Sequence, residues 1–171
     1  MGEPAVTREL LVLRIRSAFA GVTLGKGVSL RQAEVIDDFG NGVTPDEFAR
    51  LRLSEQTQHW DRVSLAELER DNVAHLDPEG FRFYLPALMI SVVDHYDASS
   101  MRVIGTLSAL YPRQTLAEYH LPRYDLLTRE QKQAVAYFLY ALAKLVALDV
   151  DDCTIVDRAM RYWAPFLQAS D

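Results

Sequence analysis

Between Asp77 and Tyr96 the chain reads DPEGFRFYLPALMISVVDHY, with Phe81, Tyr84, Leu85, Leu88, Met89, Val92 and Tyr96 spaced at steps of three and four. That period lines one face of a helix. Asp77 is a good N-cap, and Pro78 suits the first helical position, where its missing N–H would have no partner. The segment therefore predicts a central buried helix. Pro86 interrupts the pattern, because an internal proline removes a helical hydrogen bond. The sequence accordingly predicts a short turn through Tyr84, then a main helix from Pro86 to about Asp97.

Helix-start signals recur along the rest of the chain. Leu11, Ile15, Ala18 and Val22 mark a stripe in an opening helix from about Thr7 to Phe19, stopped by Gly21. Ser29 with Gln32 is a capping box, in which each side chain satisfies a free N–H at the helix start; its helix runs from Leu30 to about Asp38 and ends at Gly40 and Gly42. Thr44-Pro45-Asp46-Glu47 and Ser64-Leu65-Ala66-Glu67 repeat the box, the second for a helix reaching about His75. Thr128 with Gln131 opens the longest helix, Arg129 to Ala147, and a last helix runs from Asp152 to about Phe166. Met101 to Pro112 reads as a short helix, and Pro112 to Pro122 as a proline-bounded loop. The expectation is an all-α, compact single-domain bundle of six to eight helices over residues 1–171, without repeats.

Composition narrows the function classes. At 171 residues the chain can remove roughly 70% of its unfolded surface from water. Eighteen Lys and Arg stand against 24 Asp and Glu, a net charge of −6, and the basic residues are scattered, which argues against a nucleic-acid binder. A lone cysteine, Cys153, gives no disulfide framework and no cysteine zinc site. No secretory signal and no stretch of 18 uninterrupted apolar residues is present, so a soluble cytoplasmic protein without a membrane partner is expected.

Candidate chemistry is sparse. His59, His75, His95 and His120 show no i, i+4 pair of the kind that holds a helical metal site. Asp94-His95-Tyr96-Asp97 is the richest local group, two carboxylates three apart with an imidazole beside them, and Glu118 and His120 could complete it only if folding brings them near. The alternative reading of that group is a solvated helix end. Neither a nucleophile elbow nor a phosphate-binding glycine loop is present, so no cofactor is implied. Surplus aromatic residues suggest a partner surface, with Tyr137, Tyr140 and Trp163 as interaction candidates, although filling a broad core is the plainer explanation.

The run Glu79-Gly80-Phe81-Arg82-Phe83-Tyr84-Leu85-Pro86-Ala87 resembles a bacterial family known as a domain of unknown function. Ala18-Phe19, Trp60, Leu126-Leu127-Thr128 with Glu130-Gln131, and Tyr162-Trp163 match in the same order. The resemblance implies a whole-chain domain and brings no activity, cofactor or catalytic residue with it. Two functional readings stand: a protein-interaction, adaptor or immunity-type module that binds another protein or itself, and a small ligand binder, metal binder or enzyme using Asp94, His95 and Asp97.

Overall fold

Thr7 Oγ1 accepts from the N–H of Leu10 and starts the first helix, α1, Arg8–Ala18. Both halves of the Ser29–Gln32 box are made ahead of α2, Leu30–Phe39, and both halves of the Thr44–Glu47 box ahead of α3, Pro45–Ser54. The computed structural model describes residues 5–39, 42–54, 59–70 and 72–167; Gly40, read as the stop of the second helix, lies outside them. Gly21 adopts φ +74° just beyond α1, a conformation open to glycine without strain.

The remaining helices are α4, Leu65–Leu68; α5, Pro78–Asp94; α6, Met101–Ala109; α7, Ala117–Asp125; α8, Arg129–Leu145; and α9, Val150–Leu167. Short 3-10 turns cover Trp60–Arg62, Val73–His75 and Gln114–Leu116. Among the described residues there are nine α-helices and no strand. The all-α expectation holds, and among the described residues no helix is long and apolar enough to cross a membrane.

Three local expectations are corrected. Pro86 lies inside α5, which runs unbroken through it. The lost hydrogen bond costs about 3 kcal/mol. Phe81, Phe83, Tyr84, Leu85, Leu88, Met89 and Val92 are buried on both sides of the proline, and each contributes roughly 1.5–3 kcal/mol, so the continuous helix wins. The helix after Ser64 closes after one turn, at Leu68, rather than near His75. Asn72 Nδ2 donates to the Arg70 carbonyl, an alternative to the helical pairing, and the break lets Val73 and Leu76 both turn inward. The proline-bounded loop is mostly helix: Glu118, Leu121 and Pro122 sit on the exposed side of α7, where water replaces the donor that proline lacks.

Helix α5 touches α1, α4, α6, α7, α8 and the Trp60 turn, and α8 packs most extensively on α9 and α1. Phe81, Leu88, Phe138, Leu142 and Trp163 belong to one contiguous apolar core. Several helix C-termini are closed by side-chain donors from other elements, which satisfies carbonyls that have no partner within the helix. The indole N–H of Trp60 donates to Phe19 O, and Tyr124 Oη and Trp163 Nε1 donate to the Ala109 and Leu110 carbonyls at the end of α6. These last two bonds fix the end of α6 against α7 and α9, beside the hollow described below.

Candidate functional site

Met101, Ile104, Gly105 and Ser108 fall at i, i+3, i+4 and i+7, so they share one face of α6. That face does not pack fully against its neighbours. It forms one wall of a cavity of about 400 Å³, closed by Asn72 and the Val73–His75 turn, by Arg113 and Leu116, and by Tyr119, His120 and Arg123 of α7. The volume falls in the range of small-molecule sites, roughly 300–1,000 Å³.

The polar lining is cationic. Arg123 is 2% exposed. Its Nη2 donates to Ala74 O at 2.8 Å and also to Leu76 O and the Tyr119 hydroxyl. Its guanidinium lies 4.2 Å from the Tyr119 ring centre and 5.4 Å from that of Phe81. Burial pushes the guanidinium pKa below its ordinary value, yet among the described residues no carboxylate pairs with it, and Nη1 has no partner.

His120, one turn earlier on the same face, is 5% exposed and stacks on Tyr124 with ring centres 6.1 Å apart. Its Nδ1 also lacks a partner. Burial first, then the charges of Arg123 and Arg113, hold its pKa below the usual histidine value, so the ring is neutral near pH 7. Asp37 is the single carboxylate among the lining residues, and His75 Nε2 stands 3.0 Å from its Oδ1. The rim is apolar: Met101, Leu116 and Tyr119 are 59%, 46% and 43% exposed.

The residues singled out in the sequence are distributed differently. Asp94 forms a two-pronged pair with Arg8, at 2.5 and 2.6 Å, which holds its carboxyl below the usual range. His95 is exposed at the end of α5 and, with Asp94, lines a separate cavity of about 170 Å³ beside Trp60. Asp97 Oδ1 accepts from the N–H and hydroxyl of Ser99, closing a turn. Glu118 is exposed on α7 and lines neither cavity, so the structure does not bring His120 to the Asp94–His95 group.

Tyr137 lies half-buried beneath the Arg14 guanidinium, at 4.3 Å, and Tyr140 beneath Lys144, at 3.9 Å. Trp163 is wholly buried in the core and presents no surface. Among the described residues no group of three or more His, Cys, Asp or Glu side chains could hold a metal ion.

Arg113, Tyr119 and Arg123 were not singled out in the sequence as parts of a site. The available signal was spacing: Tyr119 and His120 precede Arg123 by four and three residues, which places all three together once the segment is helical. Reading that segment as a loop hid it.

A family model described as a family of unknown function (DUF6714) matches residues 7–167. No curated protein and no solved structure matches the chain. The chain belongs to DUF6714.

Proposed function

We propose that this member of DUF6714 is a binding module whose working element is the cavity between α6, α7 and the Val73–His75 turn. The carrying observation is the coincidence of three large exposed apolar side chains, Met101, Leu116 and Tyr119, with the mouth of a hollow that holds buried polar groups. A pocket lined mainly by apolar groups, with a few convergent polar ones, is the ordinary form of a small-molecule site. Large apolar side chains gathered in solvent also mark places of contact. The reading includes a single domain, supported by the contiguous core of the described residues.

Titration with the fluorescent probe 1-anilinonaphthalene-8-sulfonate tests it. The expected result is saturable, one-to-one enhancement, lost in Ser108→Trp, whose side chain would fill the cavity, with the helical circular dichroism unchanged. No enhancement, or equal enhancement in the folded variant, would overturn the reading.

A second reading keeps the same face but seats another protein on it, in an adaptor or immunity-type role. It is favoured by how far Met101 and Leu116 stand in solvent. A self-associating chain would show a dimer in sedimentation that Leu116→Asp dissolves.

A further inference from the structure

Two arginines of this chain are almost wholly buried, and they are handled in opposite ways. Arg102 is 2% exposed and fully engaged: Nε donates to Glu69 Oε1 at 2.8 Å, Nη1 to Ser91 Oγ at 2.9 Å and Nη2 to His95 O at 2.7 Å. A carboxylate balances its charge. Arg123 is equally buried, yet among the described residues no carboxylate makes an ion pair with it, and the charge of Asp77 acts on it only from a distance. A buried charge left without an opposite partner costs several kcal/mol, and a structure tolerates it where something else supplies the counter-charge.

Beside Arg123 the same cavity holds the unpartnered His120 Nδ1, and Arg113 stands exposed at the mouth, its guanidinium 5.5 Å from the Tyr111 ring centre. Among the described residues of the lining, Asp37 is the one acid, and it is engaged with His75. In a chain of net charge −6 this is a local concentration of positive charge facing a hollow. We infer that the cavity takes a ligand with a compact oxyanion head, a carboxylate or a phosphate, paired to Arg123 with His120 and Arg113 beside it, and an apolar body against Met101, Ile104 and Leu116.

Tyr119 completes the account. Its ring covers the guanidinium and its hydroxyl accepts from Nη2, and it is 43% exposed at the mouth. The oxyanion takes the place of that hydroxyl, and the ring swings aside to admit it. Charge-assisted pairs to a guanidinium are shorter and stronger than neutral ones, which gives the exchange its driving force.

The inference rests on the binding reading above, and one experiment separates their failures. Calorimetric titrations use hexanoate, hexyl phosphate and 1-hexanol, which share one apolar body and differ only in the head. The expected result is that at least one anion binds about tenfold or more tighter than the alcohol. Whichever anion is the tighter tells carboxylate from phosphate. Arg123→Met should bring the three to parity, and Arg113→Met, at an exposed position, should narrow the gap.

If Arg123→Met does not fold, the wild-type Arg123 Nε–H resonance carries the test: it should shift with the preferred anion and not with hexanol. Equal affinity for all three overturns the oxyanion and leaves the cavity as a binding site. Binding of none, with no probe fluorescence either, overturns both.

Discussion

A Cβ placed on Gly80 would stand 2.3 Å from the carbonyl oxygen of Val28. The loop over 25–28 lies directly on the first turn of α5, and Asp77 Oδ1 accepts from both Gly80 N–H, at 2.9 Å, and Val28 N–H, at 2.7 Å. Arg52 adds hydrogen bonds to the Gly25 and Gly27 carbonyls. One carboxylate thus caps a helix and fastens a segment 49 residues earlier in the chain. Gly80→Ala should lower stability by about 1–3 kcal/mol or more, because the Val28 backbone and the Asp77 carboxylate both resist the added methyl. A thermal midpoint equal to wild type would show that the two segments do not touch.

The continuity of α5 through Pro86 has its own test. Phe81 and Leu88 lie on either side of the proline and both are fully buried. Phe81→Ala and Leu88→Ala should each lose roughly 2–5 kcal/mol in denaturant unfolding. Near-zero loss at either position would mean that half of the segment is not packed as described.

Tyr96 joins the end of α5 to the start of α9. Its hydroxyl donates to Asp152 Oδ2 at 2.7 Å and accepts from Asp149 N–H at 3.0 Å, and burial pushes its pKa up to about 12. Asp152 is 3% exposed, and burial raises its pKa as well. Tyr96→Phe should cost about 1–3 kcal/mol at neutral pH, since it leaves a buried acceptor unpaired. An acid whose folded pKa is raised loses stability as pH climbs through that value, so Asp152→Asn, which keeps an acceptor, should cost little at pH 7. A double-mutant cycle of Tyr96→Phe with Asp152→Ala, which removes the acceptor, should show non-additive losses, and purely additive ones would refute the coupling.

His120 sets an acid limit. Its folded pKa lies below the unfolded value of about 6.5, so the stability it supports is complete above that pH and is lost as pH falls through the folded value. Thermal midpoints should therefore drop as pH falls below about 6.5, and His120→Gln should flatten that drop. An identical slope in the variant would place the imidazole in solvent. Arg113 and Arg123 are the charges that disfavour its protonation.

Much of the fold was legible because helix starts are written locally. The Ser29–Gln32, Thr44–Glu47 and Thr128–Gln131 pairs each form the reciprocal bonds their spacing implies. Failures came where a local rule met tertiary packing. Pro86 reads as a break, but the apolar residues around it bury more than the lost bond costs. Just past the Ser64 helix, Asn72 donates from its side chain to the Arg70 carbonyl, which the apolar pattern does not report.

The site was less legible still. His75 and His120 are 45 residues apart, and only the packing of the Val73–His75 turn on α6 makes them line one cavity. Asp94, His95 and Asp97 stood out because they are adjacent in sequence, and adjacency is poor guidance: Asp94 is engaged by Arg8, 86 residues away.

The most direct test of the account is amide chemical-shift mapping of the isotope-labelled protein during titration with whichever of hexanoate and hexyl phosphate binds more tightly. The account predicts that saturable shifts gather at residues 72–75, 101–109 and 113–123, the walls of the α6–α7 cavity. Shifts gathered around Asp94, His95 and Trp60, or none that saturate, would contradict it.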